Sequence, residues 1–229
     1  MKTLTQLLLF KLSKAQMLAL NSRHFLLGLF ITWLVGMGRY WDDDRAKLLQ
    51  KLGLGSVFYI FCLAALIFIV VYPFKVQGWS YFRVLTFISL TSLPALFYAI
   101  PVEQFMSIQA ANKANAWFLG LVALWRLCLL FWFLRVFTGL HPAYITATAL
   151  LPVCLIITAL TFLNLHHVVY NIMGGFRQPS AHDTSYGVLM VLTGGSMLLV
   201  VPLLIVYLAG IWSSYTTRKS NQQPQSDSP

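Results

Sequence analysis

Long apolar runs separated by short polar connections make up most of the chain. The clearest run covers residues 54–74 and contains no charged residue. A helix rises about 1.5 Å per residue and the hydrocarbon core of a bilayer is about 30 Å thick, so about 20 apolar residues cross it. This run therefore predicts a transmembrane helix. The similar runs around it predict an all-α fold, a polytopic transmembrane helical bundle.

Six runs of this kind are candidates for spanning helices, and we number them runs 1 to 6. All should be helical, because lipid offers the backbone no hydrogen bonds and the runs are too long and too uniformly apolar for barrel strands. Together they predict a single transmembrane domain over residues 22–212. The runs cover about residues 22–41, 54–74, 84–102, 114–137, 144–173 and 187–212.

Run 1 decides whether the chain crosses the membrane six times or five. Its uncharged middle is short, although Arg23 and Arg39 can extend to the two interfaces and Trp41 suits the headgroup layer. With six spans and the N-terminus inside, nine Lys and Arg residues lie inside and six outside; with run 1 on the surface, the numbers are ten and five. The charge count slightly favours five spans. Length and the interfacial aromatic residues favour six, with both termini cytoplasmic.

The two ends of the chain differ from the runs between them. Residues 1–21 predict a short amphipathic helix on the cytoplasmic face, because apolar residues share one helical side and polar residues mostly occupy the other. Residues 213–229 are polar and rich in Ser and Gln, which is typical of a disordered tail. The predicted apolar side of the N-terminal helix consists of Leu4, Leu8, Leu12, Ala15 and Ala19.

Composition supports the membrane interpretation and narrows the partners. The chain is 59% hydrophobic and 10% charged, whereas soluble domains carry about 25% charged residues. The net charge of +10 fits Lys and Arg placed beside membrane helices, where anionic lipids attract them. No basic cluster lies in a soluble patch with aromatic residues, so nucleic acid is not an expected partner. The expected partners are the lipid bilayer and other membrane proteins or a second copy of the chain.

Motifs for catalysis, cofactors or metal ions are missing from the sequence. The cysteines Cys62, Cys128 and Cys154 lie far apart inside apolar runs, where they resemble small core residues. There is no GxSxG, HExxH or phosphate-loop pattern. His166 and His167 point about 100° apart on a helix, and no acid or cysteine follows at metal-ligand spacing. We therefore expect no enzyme activity, no cofactor and no metal site.

The connection after run 1 contains three of the six acidic residues, Asp42, Asp43 and Asp44. Three carboxylates near arginines are suited to a divalent cation or a lipid headgroup at the interface. Helix capping is the simpler interpretation. Asp42 would cap a short helix whose positive end attracts Asp43 and Asp44, and Gly53 would end it.

Arg126 is the one charge deep inside a candidate span, about midway along run 4. Inserting an arginine there costs about 2.5–3.5 kcal/mol or more, so it should face protein or a water-filled cleft and have a partner. A substrate or lipid-phosphate contact is one interpretation. The other is a structural hydrogen bond to run 3, whose hydroxyls and whose carbonyls near Pro94 are candidate acceptors, with Glu103 beyond its end.

Run 5 carries a polar stripe at spacings of three and four residues. Such stripes usually face other helices, where hydroxyl and amide groups hydrogen-bond across the interface. A wet path leading to His166 and His167 is the alternative, because histidine moves protons near neutral pH. Arg126 and the stripe together form the candidate intramembrane polar site. The stripe consists of Cys154, Thr158, Thr161, Asn164, His167 and Asn171.

Run 3 carries a family resemblance in residues 80–101, SYFRVLTFISLTSLPALFYAIP. This apolar segment, with small hydroxylated residues before a central proline, resembles the Yip-family membrane proteins, and in particular their bacterial inner-membrane members. The similarity extends over residues 25–137, and the extra helix departs from the usual five-span layout. Eukaryotic relatives are associated with vesicle traffic and small-GTPase partners. The resemblance implies a non-enzymatic membrane scaffold in the bacterial cytoplasmic membrane.

Three functions fit these features to different degrees. A multi-pass scaffold or accessory protein that binds lipids or membrane partners fits the absence of catalytic motifs and the sparse buried charge. A small-solute or proton-coupled transporter or channel would use Arg126 and the polar stripe of run 5, with proline-broken helices in runs 3 and 6. A lipid-modifying enzyme ranks last, because it would need an acid–base set at the interface.

Overall fold

The computed structural model describes residues 2–38, 41, 48–163 and 184–222. All regular structure in these residues is helical, which confirms the all-α prediction for this part of the chain. Three short 3-10 helices, Tyr72–Phe74, Leu93–Ala99 and Val102–Gln104, accompany the α-helices. The α-helices are α1 (Lys2–Leu8), α2 (Lys14–Leu18), α3 (Ser22–Gly38), α4 (Leu48–Lys51), α5 (Leu54–Val71), α6 (Tyr81–Leu90), α7 (Ile108–Thr138), α8 (Pro142–Phe162) and α9 (Thr184–Gln222).

Four helical segments of the described chain are long and apolar enough to cross a membrane, and they match runs 2, 4 and 6 and the first part of run 5, whose helix ends at Phe162. Run 1 forms the 17-residue α3. Run 3 forms the ten-residue α6 followed by a 3-10 helix. The four long segments are Leu54–Phe74, Gln109–Thr138, Pro142–Phe162 and Val191–Thr217.

The chain forms two compact units, which are described separately. Unit 1 contains Met1–Tyr72 and Val76–Gly139, and unit 2 contains Pro73–Lys75 and Leu140–Pro229. The single transmembrane domain over residues 22–212 stays a prediction, because each unit is described by the packing within it.

In unit 1, α3 and the broken helix of run 3 lie side by side and run in the same direction. The Phe25 ring contacts the Phe82 ring at one end, with centroids 5.6 Å apart. Further along, the Thr32 hydroxyl lies 2.9 Å from the Ser92 hydroxyl. At the far end the indole of Trp41 donates a hydrogen bond to the Ala99 carbonyl, 3.1 Å away. The 3-10 helix therefore continues alongside α3 where α6 has ended.

Helices α5 and α7 run in the opposite direction to α3 and α6. The start of α5 lies against the end of α3, where Gly36 approaches the Gly53 backbone. Along α7, Phe118 stacks on Phe97 and Phe133 stacks on Phe87, with ring centroids 5.6 Å and 3.9 Å apart. The later residue of α7 thus meets the earlier residue of run 3, and the two elements are antiparallel.

Helix α3 approaches α6 closely because small residues face it. A Cβ added at Gly28 would overlap the Ser89 hydroxyl and lie 2.9 Å from the backbone nitrogen of Leu90. Small residues recur every four positions in α3, and all three are buried: Gly28 and Thr32 face run 3, and Gly36 faces Gly53 at the start of α5. Residues four apart share a helix face, so this spacing creates the flat surface on which close helix packing in membranes depends.

Run 3, predicted over residues 84–102 with a proline break, is divided into two elements. Helix α6 ends at Leu90, and the chain turns through Thr91 and Ser92 before the 3-10 helix begins. Pro94 explains the break, since a proline has no N–H to donate and its ring clashes with the carbonyl four residues earlier, that of Leu90. The Ala95 amide bonds instead to the Ser92 carbonyl at 3.0 Å, in the tighter 3-10 pattern.

The single amphipathic helix predicted for residues 1–21 is interrupted. Phe10 has a φ of +59°, in the left-handed region that ends a helix. Ser13 then starts α2 with a capping box, in which Ser13 and Gln16 each accept a hydrogen bond from the other's backbone N–H, at 3.3 and 2.9 Å. The buried residues are Leu4, Leu7, Leu12, Met17 and Leu20. Leu4 and Leu12 of the predicted apolar side are therefore buried, whereas Leu8 is half-buried and Ala15 and Ala19 are exposed.

This N-terminal segment packs along α7. The Trp125 indole donates to the Leu8 carbonyl at 3.4 Å, and the Phe10 and Trp132 ring centroids are 5.8 Å apart. Lys14 Nζ lies 5.7 Å from the centroid of the Phe137 ring. These α7 residues cover twelve positions, or about 18 Å of helix. The buried side of the segment thus faces protein, and its location on the cytoplasmic face stays a prediction.

Unit 2 consists mainly of α8 packed against α9. The Tyr207 ring on α9 also contacts the Phe74 ring, with centroids 5.6 Å apart. Helix α9 continues to Gln222, so residues 213–222, assigned to a disordered tail, are helical. No Gly or Pro interrupts this stretch before residue 224, which explains the extension. The core of the pair contains Ala147, Leu151, Cys154 and Leu203.

We predict that Gly28→Ala destabilises the protein, because the added methyl group must push α3 away from backbone atoms of α6. The expected loss in free energy of unfolding is about 1–3 kcal/mol, measured by thermal unfolding in detergent micelles. Gly120→Ala is the matched control, since nothing lies within 4 Å of a Cβ at that position of α7. It should be neutral or stabilising by up to about 1 kcal/mol. Equal effects of the two substitutions would contradict the close packing.

Candidate functional site

Arg126 lies on the side of α7 that packs inside unit 1. It follows Val122 by four residues and precedes Leu129 by three, and both of these side chains are at most 1% exposed. Residues at these spacings share a helix face. Arg126 is eight residues, or about 12 Å, from Leu134 near the end of the apolar segment. Its half-buried guanidinium is therefore placed within the bundle, far from either end.

The contacts of Arg126 leave part of its charge uncompensated. The guanidinium carbon lies 5.9 Å from the centroid of the Tyr59 ring on α5, within the range of a cation–π interaction. The Nη2 atom is buried and has no hydrogen-bond partner within the described residues. A buried donor without a partner costs about 1–3 kcal/mol, and more when it is charged. The site thus has an anion-binding group that this part of the chain does not satisfy.

The hydroxyl groups of run 3 do not supply the expected partner. Thr86 donates to the Phe82 carbonyl, Ser89 to the Thr86 carbonyl and Thr91 to the Ile88 carbonyl, at 2.8, 2.8 and 2.7 Å. Ser92 is next to Thr32, whose hydroxyl also donates to the Gly28 carbonyl at 2.8 Å. These groups stabilise the helix break and the α3 interface, and none of them contacts Nη2 of Arg126. The side chain of Glu103 lies outside the described residues.

Only the first part of the polar stripe of run 5 lies in the described chain. Thr158 and Thr161 are both on α8 in unit 2, whereas Arg126 is in unit 1. The Thr158 hydroxyl is buried without a partner among the described residues, and Thr161 donates to the Ile157 carbonyl at 2.8 Å. Cys154 belongs to the α8–α9 core. The remaining stripe residues, Asn164, His167 and Asn171, are outside the described residues, as is His166.

The predicted interfacial site at Asp42, Asp43 and Asp44 also lies outside the described residues. The residue just before it, Trp41, is bound through its indole to the Ala99 carbonyl. This contact places Trp41 near the end of run 3. Both interpretations of the three carboxylates, cation site and helix capping, stay predictions.

An apolar groove opens between the N-terminal segment and α7 in unit 1. Its volume is about 410 Å³, and its floor is the 3-10 helix that follows the break in run 3. Trp125, the neighbour of Arg126, lines the groove, but it points about 100° away from Arg126 around the helix. The groove and the guanidinium are therefore separate features. The lining residues are Leu8, Leu93, Pro94, Leu96, Phe97, Ile100 and Trp125.

Sequence reasoning missed two residues at these sites. Nothing in the sequence indicated that Tyr59 lies over Arg126, because long-range pairing of α5 with α7 has no local signal. Thr32 was missed as the hydroxyl that meets Ser92. Its position between Gly28 and Gly36, four residues from each, was a usable signal for a packed helix face.

Comparison with known proteins assigns no family or function to these residues. No protein-family model, curated protein or solved structure matches the chain. Within the described residues, no three His, Cys, Asp or Glu side chains come together as a group that could hold a metal ion. Function is therefore inferred from the chain's own surface and from Arg126.

We predict that Arg126→Leu stabilises the isolated protein, because it removes a buried charge with an unsatisfied donor. Inserting arginine costs about 2.5–3.5 kcal/mol, whereas a cation–π contact returns about 0.5–1 kcal/mol. The free energy of unfolding in detergent should rise by about 1–2 kcal/mol. Arg135→Leu, at an exposed position of the same helix, should change it by less than about 0.5 kcal/mol. A loss of stability in Arg126→Leu alone would mean that Arg126 is fully paired within the fold.

Proposed function

We propose that this chain is a multi-pass integral membrane protein that acts as a non-enzymatic scaffold or accessory protein by binding lipids or other membrane proteins. The extent of uncovered apolar surface carries the proposal. In the most apolar parts of the four long helices, only 11 to 44% of residues are buried by the chain itself. Soluble monomers rarely expose apolar patches of this size, so lipid or a partner must cover the remainder.

Six spans are the arrangement that we propose. Helix α3 is antiparallel to α5, and run 3 is antiparallel to α7, so run 1 and run 3 both connect opposite ends of unit 1. The 17 residues of α3 rise about 25 Å, close to the thickness of the hydrocarbon core. With α8 and α9 this makes six crossings. Both termini are then on the cytoplasmic side of a bacterial inner membrane, and Yip-family membership stays a prediction.

Arg126 favours a second candidate, a transporter or channel for a small solute. Its buried Nη2 atom, which has no partner among the described residues, is an anion-binding donor within a span, and intramembrane charges usually mark substrate or ion pathways. The broken helix of run 3 adds the interrupted backbone common at transport sites. The scaffold proposal ranks first because the freed polar groups at this break already bond to each other and to Thr32.

Cross-linking in native membranes, followed by purification of the full chain, separates the two functions. The scaffold proposal predicts a reproducible partner protein or retained lipid, and liposomes containing the purified chain that move no solute or proton. Arg126→Gln liposomes are the control for any flux that is observed. Flux that requires Arg126, from a chain that purifies without partner or lipid, would contradict the scaffold and support the transporter.

A further inference from the structure

Three separate segments of the chain meet at one end of unit 1. They are the region of α2, the connection before α6 and the end of α7. Gly78 is at their junction, with a φ of +77° that suits glycine. Leu18 Cδ2, Arg83 Nη1 and Phe137 Cζ lie 2.9, 3.8 and 4.0 Å from the position that a Gly78 Cβ would occupy. The junction therefore brings α2, α6 and α7 into a single surface.

Aromatic rings hold this junction together. Trp79 packs its indole against Phe133 and Phe137, with ring centroids 5.9 and 5.5 Å apart. The Trp79 indole N–H donates to the Phe68 carbonyl of α5 at 3.2 Å. Phe10 packs on Trp132, the residue directly before Phe133. Tryptophan and other aromatic rings with one polar edge are typical of the headgroup layer, where one side of the ring is apolar and the other is wet.

Basic side chains lie beside the rings, and the three segments themselves contain no acidic residue. Lys14 lies over the Phe137 ring, and Arg83 donates from Nη1 to the Gly78 carbonyl at 2.6 Å. Lys11 is exposed three residues before Lys14. Residues 8–23, 75–84 and 132–141 contain no Asp or Glu, so these segments carry a net positive charge. Arg83 uses one nitrogen for the carbonyl, and its remaining donors are available to an anion.

We infer that this end of unit 1 is a binding surface for anionic phospholipid headgroups, formed by Lys11, Lys14 and Arg83 beside Gly78 and Phe137. The inference rests on the proposed function as a lipid-binding membrane protein and names the lipid class. Charge complementarity selects the occupant, because segments with three cations and no acidic residue attract a net negative headgroup more strongly than a zwitterionic one. The apolar segments Leu54–Phe74 and Gln109–Thr138 both end here, which places these cations at headgroup depth. The same surface assigns the end of α7 to the leaflet that is rich in anionic lipid.

Lipid binding to the purified full-length chain in a neutral detergent tests this inference. The probes are fluorescent phosphatidylglycerol, which is anionic, and phosphatidylcholine, which is zwitterionic. Wild type should bind phosphatidylglycerol more tightly, and 0.5 M NaCl should remove most of the difference through screening. Each basic residue near an anionic surface contributes about fivefold in affinity. Lys14→Gln with Arg83→Gln should therefore lower the preference by about tenfold or more.

Two further variants keep the test decisive. The first is Lys11→Gln with Lys14→Gln, which changes only exposed side chains. It should keep the fold even if the Arg83→Gln variant unfolds because the Arg83 hydrogen bond is lost. Lys51→Gln with Lys113→Gln removes the same charge near the start of α5 and of α7, away from the junction, and should keep the preference. Equal binding of the two lipids by wild type would overturn the inference. The inference would also be overturned if the Lys51→Gln, Lys113→Gln control lost as much phosphatidylglycerol preference as the test variants, or if both test variants kept the wild-type preference.

Failure of this inference and failure of the proposed function give different results. A wild-type chain that retains lipid or a partner protein but shows no anionic preference would refute only the headgroup surface. If the basic variants instead lose a co-purifying protein and keep their lipid preference, the surface binds protein and the inference is wrong. Flux through liposomes without retained lipid or partner would refute the proposed function itself.

Discussion

The fold depends on satisfying polar groups without water. Lipid cannot hydrogen-bond to a backbone N–H or C=O, so each span must bond within itself or to a neighbour. This constraint is most severe where α6 ends at Leu90 and Pro94 prevents the helix from continuing. There the Ser92 and Ala95 amides adopt a 3-10 pattern, the Thr91 hydroxyl bonds to the Ile88 carbonyl, and Thr32 meets Ser92 from α3.

Close packing of α3 follows from the same constraint. A hydroxyl on α3 can reach the break in run 3 only if the two backbones approach each other, and Gly28 permits this approach because it has no side chain. Once α3 and run 3 are paired, α5 and α7 cover the pair from the other sides in the opposite direction. The basic and aromatic residues of α2, α6 and α7 then come together at one end. The need to satisfy the polar groups at the break in run 3 therefore determines how the helices of unit 1 pack.

The sequence predicted the elements that depend on composition and missed those that depend on pairing. Runs 2, 4, 5 and 6 were predictable because about 20 apolar residues have one stable solution in lipid. The break in run 3 was predictable from Pro94, whereas the Ser13–Gln16 capping box that divides the N-terminal segment was overlooked. Both are local signals. The helical extension to Gln222 contradicts a tail assignment that rested on polarity alone.

In the candidate site, too, composition was readable from the sequence and tertiary contacts were not. Arg126 was identifiable because a charge in an apolar run is costly wherever it lies, but its contact with Tyr59 and the loss of its expected partners in run 3 follow from tertiary packing. The roles of Asp42, Asp43, Asp44, Asn164, His167 and Asn171 stay predictions, because these residues lie outside the described part of the chain. The junction around Phe137 had no sequence signal, since Lys14, Arg83 and Phe137 lie more than fifty residues from one another along the chain.

Amide hydrogen exchange of the chain in lipid nanodiscs measures the central claim most directly. If lipid surrounds all of unit 1 and its polar groups are satisfied internally, amides of α3, of α6 and of the 3-10 helix after the break should exchange as slowly as those of α5. The exposed connection around residue 77 should exchange fast. Fast exchange throughout α3 or across the break in run 3 would contradict the account, because those segments would then be in water.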